Sequence, residues 1–248
     1  MSQHMALPAR AHAWDAVMSA PGSIAVIIPA LNEEQSIGRV IEAIPAELGC
    51  DVVVVDNGSS DRTAEVAAAC GARVEREPQR GYGAACLKGI AALHAPIVVA
   101  FLDADFSDDP ALLPALVAPI LEGHADFAIG SRMLGEREPG AMPFHTIFGN
   151  WLAGRILTHL YRQPATDLGP FRAIRYSALQ RLCMRDRGYG WTIEMQAKAA
   201  RLGLTTVEVP VTYRKRIGRS KISGAIWPSI KASAIILSTA FRLLRWRP

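Results

Sequence analysis

Two aspartates separated by one residue, Asp103 and Asp105, close an apolar run and are the strongest chemical signal in the chain. Carboxylates at this spacing, where a strand turns into a loop, can converge on one Mg²⁺ or Mn²⁺ that also takes phosphate oxygens. The tripeptide alone serves a solvated turn or a helix cap as well, and the stretch from Asp105 to Pro110 has the makings of a cap. Two further clusters narrow the choice: Pro29-Ala30-Leu31-Asn32-Glu33 and Asp56-Asn57-Gly58-Ser59-Ser60-Asp61, each also following an apolar run. Carboxylates gathered at a nucleotide crevice would repel phosphates, and a divalent cation reconciles the two. Asp56, with no phosphate to meet, suits hydrogen bonds to a base or ribose. There is no GxxxxGK[ST] loop, and Gly81-Tyr82-Gly83 has Cys86 where a dinucleotide fingerprint needs its third glycine.

The elements that position these residues follow from the apolar pattern. Runs at 24–28, 51–56, 97–102 and 127–130, with a shorter one near Val74, lack alternation and suit parallel strands buried on both faces. Helical patterns lie between them, at 33–48, 61–70, 83–93 and 110–121. Strands alternating with helices predict an α/β fold with a doubly wound, mostly parallel, Rossmann-like sheet, whose ligands bind beyond the carboxyl ends of the strands. The rhythm fails after Gly130. A loop at 135–143 leads to a helix at 146–161, a strand at 171–174, a helix at 192–202 and a strand at 205–209, read as an elaboration of the same sheet. The expected organisation is a loose leader at 1–22, one domain at 23–224 and an apolar, basic helix at 225–248.

Half of the 248 residues are apolar and a fifth are charged, which excludes disordered and low-complexity classes. From Val209 onward there are nine Lys and Arg and no Asp or Glu, so the net charge of +4 hides a value of −5 for the first 208 residues. Such a tail suits polyphosphate or anionic lipid; nucleic acid is not expected, for want of a recognisable motif and of aromatics interleaved on a basic face. The four cysteines are scattered without a CxxC pair, and Arg10, His12 and Asp15 interrupt the start as a secretory signal would not. A reducing, cytosolic setting is the expectation.

Six motifs in order, spanning about Ile24 to Gly224, carry a resemblance to a known family. They are Pro29 to Glu33, Asp56 to Asp61, Asp103-Ala104-Asp105 with the following residues to Pro110, Gly130-Ser131-Arg132, Gly169-Pro170-Phe171-Arg172 and Arg216 to Lys221. The sequence resembles family 2 glycosyltransferases, especially the branch of dolichyl-phosphate mannose synthase and the bacterial polyprenyl-phosphate glycosyltransferases. The resemblance implies a GT-A fold, a nucleotide-diphosphate sugar donor (UDP- or GDP-hexose), Mg²⁺ or Mn²⁺ as cofactor, and inversion at the anomeric carbon. By position, Pro29, Asn32, Glu33 and Asp56 line the nucleoside site, and Asp103 and Asp105 hold the metal and diphosphate. Arg132 faces the acceptor phosphate, while Arg216 and Lys221 close over the diphosphate on a mobile loop. A solvated basic stretch is the plainer account of that loop. Gly169-Pro170-Phe171-Arg172-Ala173 departs from the SGFRA pattern of the mannose subgroup, and His145 and Thr146 stand where it has Arg and Ser, so sugar and acceptor do not carry over.

Glu194 separates two acceptors. A hydroxyl acceptor needs a general base, and Glu194 is the candidate; a lipid phosphate is already ionised, and Glu194 would then order basic side chains. The expected activity is hexose transfer to polyprenyl phosphate at the cytoplasmic face of the plasma membrane, with a hydroxyl-acceptor transferase or a non-catalytic nucleotide-sugar module as alternatives. Residues 225–246 place Lys231, Ser238, Arg242 and Arg245 on one stripe, with Trp227 and Trp246 at headgroup depth, predicting a peripheral membrane helix. The competing expectation is a helix packed on this domain or on a second copy in a homo-oligomer.

Overall fold

Strands Ile24–Ala30 (β1) and Asp51–Asp56 (β2) pair in parallel, with Ile27 opposite Val53 and Ala30 opposite Asp56, so their carboxyl ends finish level. The computed structural model describes residues 22–218, 235 and 238–246. Strands Arg73–Arg76 (β3), Val98–Phe101 (β4), Phe127–Ser131 (β5), Arg172–Arg175 (β6) and Thr206–Pro210 (β7) complete a seven-stranded sheet of order β3-β2-β1-β4-β6-β5-β7. Strand β6 runs antiparallel between β4 and β5, and the other pairings are parallel. The result is a single mixed α/β domain, as expected.

Both faces of the sheet are covered, which explains why the strands read as unbroken apolar runs. Ile24, Val26 and Ile28 pack beneath helices Ile37–Glu42 (α1), Thr63–Ala69 (α2) and Leu113–Leu121 (α4). Ile27, Val53 and Val55 face the other way, toward Tyr82–Ala91 (α3), Tyr176–Leu182 (α6) and Trp191–Arg201 (α7). A third cluster joins α7 to Phe144–Tyr161 (α5) through Leu157, Ile193 and Ala197, closed by Ala240 and Leu243 of the C-terminal segment.

Several expectations shift. The single helix expected at 33–48 is the short α1 followed by a 3-10 turn, Ala46–Leu48, because Pro45 ends the helical run. Helix α6 follows β6 directly where no helix is expected. Helical residues 238–243 pack inward, with the Tyr161 hydroxyl donating to the Ala240 carbonyl and the Lys198 ammonium 5.1 Å from the Trp246 ring centre. Trp246 therefore rests partly buried against the domain. Lys221, Trp227 and Lys231 lie outside the described residues, as does the helical expectation for 225–234.

Candidate active site

The carboxyl ends of β1, β2 and β4 bring the three acidic clusters together. After β1, Asn32 takes a positive φ of 52° and points its backbone N–H at the Ser59 hydroxyl (3.0 Å), while its side-chain oxygen accepts from the Ser60 N–H (2.7 Å). Asn belongs to the few residue types that tolerate this conformation. Asp56 at the end of β2 accepts the Ser59 N–H (2.8 Å), and the Glu33 N–H donates to the Thr63 hydroxyl (2.8 Å). Asn32, Glu33 and Asp56 thus share one crevice wall, with the β1 and β2 loops laced by side-chain hydrogen bonds, while Pro29 is paired with Val55 inside the sheet just before them. Asn57 stiffens its floor, donating to the Glu77 and Gln79 carbonyls and accepting the Gly81 N–H.

The opposite wall is the loop after β4. Asp105 accepts the Ser107 N–H at Oδ1 (2.9 Å), and its Oδ2 lies 3.3 Å from the Arg216 guanidinium. That guanidinium also meets Glu33 Oε1 at 3.2 Å, so Arg216 spans the crevice from one acidic cluster to the next. Its segment is fastened to the β4 loop by backbone bonds from Arg214 to Ser107 and from Ile217 to Asp105. As far as it is described, the loop expected to move is docked.

Asp103 Oδ1 is buried without a hydrogen-bond partner. Burial, followed by the charge of Asp105, pushes the Asp103 carboxyl up to about 7. Burial also pushes Asp108 well above the ordinary carboxylate value, against the opposing charge of Arg132 and with the Asp103, Asp105 and Asp167 charges adding to it; both its oxygens are buried and unpartnered. An uncompensated carboxylate of this kind is costly in isolation and favourable beside a cation. Among the described residues no group of three or more His, Cys, Asp or Glu can hold a metal ion by itself. The donor set is two carboxylates at the crevice, which fits a hard cation whose coordination is completed by phosphate oxygens and water.

Arg132 and Glu194 differ most from their expected surroundings. Arg132 is buried and gripped by Asp167, its Nε and NH2 each 2.7 Å from a carboxylate oxygen and its N–H 2.9 Å from Oδ2. Against a burial that disfavours its charge, Asp167 holds the guanidinium firmly protonated. Arg132 lies under the Tyr213 ring, 5.0 Å from its centre, and its charge is felt at Asp103 and Asp108. The sequence carries no signal for this partner, because Asp167 is a lone acid 35 residues away. Glu194 is likewise committed to the protein. It pairs with buried Lys198 (2.7 Å) and accepts the backbone N–H groups of Arg185 and Asp186. Its geometry is that of a side chain ordering a basic partner and a loop.

That loop reaches back to the crevice. Gly83 lets α3 approach the Asp186 carbonyl, and Gly81, at φ 148°, lets the chain pass the Arg187 carbonyl where a Cβ would collide. The glycines discounted as a dinucleotide fingerprint thereby seat α3, whose Tyr82 hydroxyl abuts Asp103 and is itself pushed up by burial and by that charge.

Comparison with known proteins places this geometry. Residues 25–183 match the model of glycosyl transferase family 2. An uncharacterised glycosyltransferase of Mycobacterium tuberculosis is 42% identical over 213 residues, covering 85% of this chain and 94% of its own length. A dolichyl-phosphate hexose transferase of Haloferax volcanii is 34% identical over 203 residues, 80% and 86% of the respective chains. Among solved structures, glucosyl-3-phosphoglycerate synthase of M. tuberculosis, in complex with Mn²⁺, UDP and glucosyl-3-phosphoglycerate, superposes with a TM-score of 0.71 at 25% identity, covering 97% of this chain and 87% of that one. The match over residues 25–183, the relatives covered over most of their length and the fold shared with a solved family structure agree: the chain belongs to glycosyl transferase family 2.

Proposed function

We propose that this glycosyltransferase moves a hexose from a UDP- or GDP-sugar to a polyprenyl phosphate at the cytoplasmic membrane face, with inversion and with Mg²⁺ or Mn²⁺ held by Asp103 and Asp105. The observation that carries the donor side is the buried, unpartnered Asp103 oxygen beside Asp105 and opposite Arg216. Two carboxylates and a guanidinium across one crevice suit a diphosphate and its cation together. A bound divalent cation neutralises the diphosphate charge that grows as the glycosidic bond breaks. Arg216 exchanges its carboxylate partners for the leaving diphosphate, where added charge is best stabilised, and Lys221 is assigned to the same task. Arg132, held in place by Asp167, sets the potential behind the pair. Asp56, Asn32, Glu33 and Pro29 receive the nucleoside.

Glu194 favours the phosphate acceptor. With its carboxylate bound to Lys198 and two backbone N–H groups, it is not available as a base, and a polyprenyl phosphate oxygen needs none. That oxygen bonds to C1 of the sugar as the bond from C1 to the diphosphate breaks; the nucleoside diphosphate leaves, and the displacement inverts the centre. The dolichyl-phosphate hexose transferase among the relatives supports the same acceptor class, and the Mn²⁺ and UDP in the glucosyl-3-phosphoglycerate synthase complex support the same donor chemistry. A melting screen tests the donor side. One hexose nucleotide should raise the melting temperature with Mn²⁺, by about 2.7 kcal/mol of stability at a hundredfold excess over Kd, and Asp103→Asn should abolish the gain. Equal stabilisation in EDTA contradicts the cation assignment.

A further inference from the structure

Helix α5 turns a row of large aromatic side chains to solvent. Phe144 is 81% exposed, Phe148 53% and Trp151 55%, in a domain whose other large apolar residues are mostly buried. At 100° per residue these three and exposed Arg155 fall within an arc of about 60°, while Ala153, Leu157 and Tyr161 on other faces enter the core. The Phe148 and Trp151 rings lie 5.7 Å apart, forming one continuous patch. Scattered exposed apolar residues need no explanation, but a contiguous aromatic stripe does.

Charge indicates what covers it. From Pro139 to Thr166 there is no Asp or Glu, while Arg155 and Arg162 are present. The C-terminal segment packed on α5 belongs to a stretch that is also free of acids, and it adds exposed Phe241, Arg242 and Arg245. Two neighbouring elements thus combine exposed aromatics with basic side chains and lack any carboxylate of their own. A surface with Trp and Phe on its apolar side, flanked by Arg, lies in a lipid interface and draws affinity from both terms. Among the described residues no helix is long and apolar enough to cross a membrane, so α5 would lie along the surface.

We infer that the α5 stripe of Phe144, Phe148 and Trp151, with Arg155, is the face by which this enzyme docks on an anionic bilayer. The inference deepens the reading of a membrane-borne acceptor and rests on it. It centres the contact on a helix of the catalytic domain itself, with the expected C-terminal helix, packed on it through Ala240 and Leu243, beside it.

Sedimentation of the full chain with vesicles, of phosphatidylcholine alone or with phosphatidylglycerol, tests it. The wild type should sediment with the anionic vesicles and far less with the neutral ones. The triple variant Phe144→Ser, Phe148→Ser, Trp151→Ser should bind anionic vesicles at least tenfold more weakly. Arg155→Glu alone should reduce the preference for anionic over neutral lipid. Melting with donor and Mn²⁺ should be unchanged in both, because the substituted side chains are exposed to solvent. Unchanged vesicle binding by the triple variant, or a wild type that never sediments, overturns the inference. So does a wild-type dimer that the triple variant turns into a monomer without altered lipid binding, which assigns the stripe to a second copy. The proposed reaction fails separately: a chain that docks through α5 yet glycosylates no detergent-dispersed polyprenyl phosphate refutes the acceptor, whereas one that glycosylates it without docking refutes the surface.

Discussion

Asp103 and Asp105 share a loop and differ in what they already hold. Asp105 is occupied by the Ser107 N–H and Arg216, whereas Asp103 keeps one oxygen buried and unpartnered. The raised Asp103 carboxyl gives a pH signature of definite sign. With a folded value of about 7 against an ordinary 3.8, the folded state binds the extra proton between these values. Its contribution to stability is therefore fully present below about pH 4 and is lost as pH rises toward 7. Asp103→Asn removes that loss, so without metal or donor the variant should melt higher than wild type at pH 8 and show little gain at pH 4. Each kcal/mol regained should appear as about 2–4 °C. Melting curves across pH check this; a variant less stable at pH 8 than wild type contradicts the raised value. Because cation and proton compete for one oxygen, activity at limiting Mn²⁺ should fall as pH drops below about 7.

At the scale of elements, helix α7 does more than fill the core. Its Glu194 and Lys198, one turn apart, form a buried ion pair, and Lys198 also donates to the Cys183 carbonyl (2.7 Å) while Glu194 holds the turn at Arg185 and Asp186. Removing one charge strands the other, which typically costs about 3–5 kcal/mol. Glu194→Gln should lower the melting temperature markedly while the folded fraction keeps kcat within about threefold, a change of less than 1 kcal/mol in the barrier. Lys198→Met added to it should restore much of the stability. A stable but inactive Glu194→Gln returns Glu194 to the role of base and favours a hydroxyl acceptor. The sequence made β2 and β4 legible because burial on both faces leaves them uniformly apolar, and it located the acidic clusters because strand ends are punctuated by polar residues. It did not reveal that β6 inserts antiparallel between β4 and β5, since a four-residue strand such as Arg172–Arg175 carries no direction in its pattern. The Arg132–Asp167 and Glu194–Lys198 pairs were hidden for different reasons. The first joins residues far apart in the chain, and the second has the spacing of an ordinary solvated helix pair.

For the whole molecule, the third cluster makes the C-terminal segment part of the domain as far as it is described. Leu157, Ile193 and Ala197 are covered by Ala240 and Leu243, and Arg242 lies 3.9 Å from Asp186. Truncation after Gly224 should lower the melting temperature by several degrees, at about 2–4 °C per kcal/mol lost, and weaken the seat of the loop behind α3. A truncated chain that melts like the full one contradicts this packing. All these parts serve one reaction, and its product can be measured directly. Labelled UDP- and GDP-hexoses are incubated with the full chain, Mn²⁺ and detergent-dispersed polyprenyl phosphate, and label is counted in the extracted lipid. The expected result is a labelled lipid from one donor, lost in EDTA and reduced at least a hundredfold in Asp105→Ala, about 2.7 kcal/mol of transition-state stabilisation. No lipid product from any of these donors, while the same preparation glycosylates a hydroxyl acceptor such as phosphoglycerate, would contradict the account.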